Sequence, residues 1–462
     1  MSQLSLLDYM LLLLETKDSP RHVGGLQIFE LPDKAPADYV RTLVADMIAT
    51  VPVEPFNQKL KVPLAGRPRW VEDSDMDLAD HIFHEALPQP GREQDLLDRV
   101  AQLHSRLLDR DAPLWEIYVI EGLEGGRFGL YAKIHHAYMD GISMSRRSMA
   151  SLSTTPDEDV PPMWANDEDS AEHTAVRRSI TESLFGSAKR FGRLAMVGPQ
   201  LNQLALRHGW RLITGGGDLP VPFTAPRTVF NKPLTSARAF GVCSVRLDRV
   251  KALARAQEVT VNDVILALCD TALRRYMDEQ DEHPEKPLVA QMPISVRADD
   301  GGTGNQVTIA LLELASETAD PIERLQEVHE HAGRVKHEYA AMGVEAAEAY
   351  TIIVQTLMMM GDLAHLSEHF PPLGNILVSN VIGDSRPRYI KGARLLASYP
   401  ISTIPPGMAM NITVYTYAGE LHFGLLTGRR AIADPQRIAG FVPEAFAQLE
   451  KEAGTPGRVA SA

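Results

Sequence analysis

Cysteine is nearly absent from this 462-residue chain, which holds only Cys243 and Cys269. Both sit in apolar surroundings (Gly-Val-Cys-Ser-Val and Ala-Leu-Cys-Asp), which argues against a disulfide-stapled secreted fold and for buried, reduced thiols. Basic residues are also in deficit: 46 Lys and Arg face 60 Asp and Glu, a formal net charge of −14. General nucleic-acid binding needs a cationic surface and is therefore not expected. Long apolar runs are missing too. The longest early one, residues 10–14, is far short of a bilayer span and no cationic segment precedes it. Neither a signal peptide nor a transmembrane helix is expected, and the expected location is cytoplasmic, with room for peripheral membrane contact. No Gly-x-Ser-x-Gly elbow occurs, which removes the commonest serine-nucleophile arrangement. What is present, 44% hydrophobic and 23% charged residues, fits a globular protein. The length suggests two domains of about 200 residues and a linker.

The periodicities divide the chain accordingly. Residues 4–15 read as a short amphipathic helix with Ser5 as N-cap, and 23–31 as a strand with a bulge or close approach at Gly24-Gly25. Pro36 sits just inside a helix running to about residue 50. A further helix at 93–109 carries Leu96, Leu97, Val100, Leu103, Leu107 and Leu108 on one side. Residues 117–120, turned at Gly125-Gly126, form a hairpin with the strand that follows. From 154 to 229 the composition shifts. Residues 157–172 hold seven acids and no base, whereas 176–213 hold seven bases against Glu182 alone. Apolar residues at helical spacing run through the basic part, and Gly215–Gly217 with Pro220, Pro222 and Pro226 close it, as in a linker with a helical insert. Beyond it, strands are expected at 240–247, 287–296, 306–315, 375–381, 394–398, 408–415 and 421–427. Helices are expected at 260–278, 322–339, 345–366 and from Pro435. The domains read as 1–153, a linker at 154–229, and 230–462, with α/β (α+β) layers in both halves.

The most informative stretch is residues 127–141. Phe128, Leu130, Ala132 and Ile134 alternate with Arg127, Gly129, Tyr131 and Lys133, the pattern of a half-buried strand. If the strand runs on, His136 falls on its apolar face and His135 on the polar one. An imidazole turned inward beside the Asp140-Gly141 turn is a candidate general base, its ordinary pKa of about 6.5 suiting proton transfer near neutrality. The alternative is a core histidine with satisfied hydrogen bonds. Metal ligation by His135, His136 and Asp140 is disfavoured, because adjacent strand residues point apart.

The pattern His135-His136-Ala137-Tyr138-Met139-Asp140-Gly141 resembles the HHxxxDG signature of the CoA-dependent acyltransferase superfamily. Further motifs are similar to those of the bacterial wax ester synthase/diacylglycerol acyltransferase family. They are Leu4-Ser5-Leu6-Leu7-Asp8, His22-Val23-Gly24-Gly25, Pro113-Leu114-Trp115, Pro226–Asn231, Val261-Asn262-Asp263-Val264, Pro293–Arg297, Gly304-Asn305, Val378-Ser379-Asn380-Val381 and Gly407–Ile412. The resemblance implies two pseudo-duplicated chloramphenicol-acetyltransferase-like domains with an active-site tunnel between them. It implies transfer of a fatty acyl group from acyl-CoA to a long-chain alcohol or diacylglycerol. His136 would be the general base, His135 and Gly141 its motif neighbours, and Asp140 a structural residue salt-bridged to an arginine, for which Arg297 is the choice. No permanently bound cofactor and no acyl-enzyme are implied; acyl-CoA is a co-substrate.

Other motif residues keep two readings. Pro113, Leu114 and Trp115 are either substrate-binding or a proline opening a strand with a core tryptophan. Asn262 and Asp263 either face the site or cap a helix, and Ser379 with Asn380 either line the tunnel or end a strand. The basic stretch 176–213 would meet a membrane or lipid-inclusion surface, or pack on the protein's own acidic residues. A carrier-protein-dependent condensation enzyme and a non-catalytic inclusion-binding protein are the alternatives.

Overall fold

A computed structural model describes residues 2–4, 6–63, 68–166, 222–296, 306–342 and 371–454. The expected helix at 345–366, the basic stretch 176–213, Arg297 and Gly304-Asn305 lie outside the described residues.

Fifteen strands form among these residues, the longer ones from the alternating and apolar segments. They are β1 (Ser2–Gln3), β2 (His22–Glu30), β3 (Gln58–Lys61), β4 (Arg69–Glu72), β5 (Ile82–Ala86), β6 (Trp115–Leu123), β7 (Arg127–His135), β8 (Arg238–Arg246), β9 (Val289–Val296), β10 (Gln306–Glu313), β11 (Ile376–Val381), β12 (Tyr389–Ile390), β13 (Ala393–Ile401), β14 (Met410–Tyr417) and β15 (Glu420–Gly428). Two six-stranded sheets result, ordered β12-β13-β2-β7-β6-β5 and β10-β9-β11-β14-β15-β8, with a small sheet β1-β4-β3 beside them. Their centres repeat one topology. β5 runs parallel to β6, which forms a hairpin with β7, which pairs antiparallel with β2. Likewise β11 is parallel to β14, β14 forms a hairpin with β15, and β15 pairs antiparallel with β8. This is the expected duplication.

The halves are interlocked. β13, from the C-terminal half, pairs with β2 in the first sheet. It crosses β15 so closely that a Cβ on Gly424 would stand 1.9 Å from the Pro400 carbonyl oxygen. Only glycine allows that approach. The first hairpin turns at Gly125 and Gly126, both at positive φ.

Helices cover the sheets. Tyr39–Ile48 and Gly141–Ala150 pack on the first; Leu247–Ala256, Val261–Glu279, Pro321–Met342 and Pro435–Glu452 pack on the second; Glu93–His104 meets β6 and β7 of the first and β8 of the second, in the core that both sheets share. Pro36 lies outside its helix, its carbonyl accepting from the Tyr39 N–H at 3.0 Å. The helix at 93 stops at His104, leaving Leu107 and Leu108 in the loop after it.

One expectation about β7 is corrected here. The strand is buried on both faces, not half-buried. Phe128, Leu130, Ala132 and Ile134 join one core, whereas Tyr131 joins a second shared with Phe240, Val242 and Leu426 of the other sheet. The face that looked polar is therefore interior, and Lys133 on it has no exposed surface.

Candidate active site

β7 ends at His135, where the ladder pairs it with His22. The chain then turns tightly: the N–H groups of Tyr138 and Met139 both donate to the His135 carbonyl, at 2.8 and 3.2 Å. His136 leaves the ladder, its N–H donating instead to the Arg21 carbonyl at 2.7 Å. The strand register therefore does not govern His136, and the assignment of faces by alternation is corrected: His135 is the fully buried histidine and His136 keeps partial exposure.

The two rings have different surroundings. His135 Nδ1 accepts the Ala137 N–H at 3.0 Å, which leaves Nε2 as the protonated nitrogen. Nε2 faces Glu15 Oε1 at 3.4 Å, and both side chains are 1% exposed. Burial pushes the Glu15 carboxyl up, but His135, the Arg21 N–H (3.0 Å) and Arg110 (3.0 Å) outweigh it and hold the pKa at about 2. Glu15 was not singled out from sequence; it lies 120 positions from His135 and belongs to no motif. These contacts hold the His135 ring in place.

No other described side chain hydrogen-bonds the His136 ring. Protein surrounds it closely, and burial lowers its pKa below the ordinary 6.5, while Asp140 and Asp8 pull the other way. The lowered pKa favours the neutral ring, and a neutral imidazole has one nitrogen that can take a proton.

Asp140 is the N-cap of the helix Gly141–Ala150, its carboxylate accepting from the Ser143 N–H (2.8 Å) and hydroxyl (3.0 Å). Gly141 opens that helix with empty space where a side chain would project. Burial raises the pKa of Tyr415 on β14, and Ser145 of the same helix pulls it the other way, so the motif helix lies near the second sheet.

The remaining expected site residues fall elsewhere. Leu114 and Trp115 are fully buried, with Trp115 Nε1 donating to the Phe56 carbonyl at 2.9 Å and the ring stacked on Trp164 and His81. Pro113 is buried with them, and Leu114 supports the site through its carbonyl, which accepts the His135 N–H at 3.0 Å. Asp263 forms a capping box with Thr260 and also meets His329 Nδ1 at 2.7 Å. Asn262 is half-buried, its amide 3.3 Å from Met292 Sδ. Ser379 is half-buried and Asn380 exposed near the end of β11. None of these touches His136 among the described contacts. Both thiols are pushed up by burial, Cys269 to about 12, which makes them poor nucleophiles. Among the described residues no cluster of His, Cys, Asp or Glu could hold a metal, and no helix is long and apolar enough to cross a membrane.

Comparison with known proteins decides the family. Residues 4–265 match the wax ester synthase/diacylglycerol acyltransferase catalytic domain, and residues 303–450 match the WS/DGAT C-terminal domain. The chain belongs to the wax ester synthase/diacylglycerol acyltransferase family. It is 34% identical to the "O-acyltransferase WSD" of Acinetobacter baylyi over 452 residues, 96% of each chain. It is 37% identical over 457 residues to the "Probable diacyglycerol O-acyltransferase tgs2" of Mycobacterium tuberculosis, covering 97% of this chain and 98% of that one. The wax ester synthase/diacylglycerol acyltransferase structure from Marinobacter aquaeolei VT8 superposes with a TM-score of 0.76 at 34% identity, covering 98% of this chain and all of that one. The first condensation domain of the CDA synthetase, at 14% identity and TM-score 0.54, shares the fold. As a WS/DGAT family member the chain is an acyltransferase, joining an acyl donor to an acyl acceptor.

Proposed function

We propose that this enzyme transfers a fatty acyl group from acyl-CoA to the hydroxyl of a long-chain alcohol or a diacylglycerol, with His136 as general base. The observation that carries this is the His136 ring itself: held toward its neutral form by burial, unengaged by any other described side chain, partly exposed, and placed where the motif strand passes into the motif helix. The ring takes the hydroxyl proton, the oxygen attacks the thioester carbonyl, and the C–S bond breaks as the new C–O ester forms. The proton held on His136 can pass to the departing sulfur, so CoA leaves as a thiol. No acyl-enzyme, metal or resident cofactor is needed, in keeping with two thiols of raised pKa. Asp140 acts by capping the helix and by its charge on His136, not by accepting the proton. The names of the Acinetobacter and Mycobacterium relatives support this reaction class. Binding to a lipid surface through 176–213 belongs to the same proposal. The test is thiol release from palmitoyl-CoA with hexadecanol or dipalmitoylglycerol as acceptor. Acceptor-dependent release that is lost in His136→Ala supports the reading; no release with either acceptor overturns it.

A further inference from the structure

A cavity of about 320 Å³ lies between the first sheet and the helices Tyr39–Ile48 and Gly141–Ala150. His136 does not line it. Ile117 and Leu130 of the sheet form the floor, Leu43 and Met47 one wall, and residues 159–164 the roof. Its polar groups are largely committed to one another. Gln27 Nε2 donates to Ser148 Oγ (3.1 Å), Ser151 Oγ to the Ser148 carbonyl (2.7 Å) and Trp164 Nε1 to Thr50 Oγ1 (2.8 Å). An occupant therefore meets mainly apolar surface.

The charged residues form a clasp at the rim. Lys391 Nζ lies 3.4 Å from Asp46 and also pairs with Asp159 of the roof. Its backbone takes a positive φ of 49°, uncommon outside glycine, while the Tyr39 hydroxyl donates to the carbonyls of Ile390 (3.0 Å) and Lys391 (2.9 Å). Arg388 adds a bond to the Leu152 carbonyl at 2.8 Å. A hairpin from the C-terminal half thus fastens the roof over a cavity in the N-terminal half.

One helix joins the cavity to the chemistry. Asp140, Met144 and Ser148 recur every four residues along one face of it. At 1.5 Å per residue, Gly141 and Ser148 are about 10 Å apart, within reach of a long alkyl chain whose head is at His136. Between them stands Met144, 5% exposed, with its terminal methyl carbon 3.8 Å from where a Cβ on Gly25 would be. Methionine is the apolar side chain most easily moved aside. We propose that this cavity receives the alkyl tail of one substrate, passing Met144, and sets the chain length the enzyme prefers. The proposal rests on the transfer reaction above.

Leu43→Phe and Ser151→Phe, made separately, fill the space. With each, kcat/KM is measured for hexadecanoyl-CoA against octanoyl-CoA at fixed alcohol, and for hexadecanol against octanol at fixed acyl-CoA. One long-to-short ratio is expected to fall at least tenfold, and which one falls tells whether the acyl or the alcohol tail occupies the cavity. Both ratios unchanged in folded variants overturns the proposal. A second measurement spares the cavity walls: 12-bromododecanoyl-CoA should quench tryptophan fluorescence in the unsubstituted enzyme and do so much less in Trp164→Phe. Equal quenching in both places the tail elsewhere. If the unsubstituted enzyme transfers no acyl group, the reaction assignment fails, while the quenching still reports on the cavity.

Discussion

Replacing His135 and His136 by alanine, one at a time, separates two roles that adjacent identical residues hide. His135 is 1% exposed and uses both ring nitrogens, accepting from the Ala137 N–H and facing Glu15. Its loss removes the hydrogen bond from the Ala137 N–H and leaves a 1%-exposed carboxylate short of one partner, with Arg110 and the Arg21 N–H still in place. An unsatisfied buried group costs about 1–3 kcal/mol, and the vacated volume adds to it, so roughly 2–5 kcal/mol is expected. That is a large part of the 5–15 kcal/mol typical of a folded domain. His136 is partly exposed, so its loss should cost about 1 kcal/mol or less. Transfer should nevertheless fall by about 10²-fold or more. Urea midpoints at constant m-value report the first quantity, and thiol release per mole of folded protein the second. Near-normal turnover in His136→Ala, with a stable but inactive His135→Ala, would refute the assignment.

The His136 pKa lies below 6.5, so kcat/KM should be flat at neutral pH and fall about tenfold per unit only on a more acid limb. Asp140 holds that pKa up, so Asp140→Asn should move the limb to lower pH. Asparagine also caps well, so stability should change by only a few tenths of a kcal/mol; an upward move of the limb contradicts the assigned charge effect. Gly141→Ala meets open space without positive φ, and should stabilise the fold by about 0.4–1 kcal/mol. A lower melting temperature would show that the position cannot take a side chain. Burial depresses His22 to about 3, His422 to about 4, and His104 well below 6.5. Below pH 6.5 the unfolded chain takes up protons that these folded residues refuse, so their stabilising contribution is lost as pH falls, about 1.4 kcal/mol per unit each. Asp270, pushed up by burial to about 6, runs the other way below that pH. The net result should be a loss of stability as pH falls from 6 to 4, read from urea midpoints; a midpoint constant over that range rejects the buried neutral histidines.

Local pattern alone carried much of this protein. Alternation and turn residues located most strands of the two large sheets, because a strand's period is a property of its own side chains. The His135–Gly141 motif, with Pro113-Leu114-Trp115 and the later motifs, located the family. The short strands β3, β4 and β12, of two to four residues, are too brief to show a period. Tertiary structure decided what needs a second segment. Packing on both faces buried Lys133, although its strand alternates as if half were wet. A turn held by the His135 carbonyl and the Arg21 backbone, not strand register, directs His136. Glu15 reaches His135 across 120 residues, and Lys391 closes a cavity built from the other half of the chain. Periodicity reports which way a residue faces within its own element, whereas these pairings depend on where distant elements meet, and no local pattern encodes that.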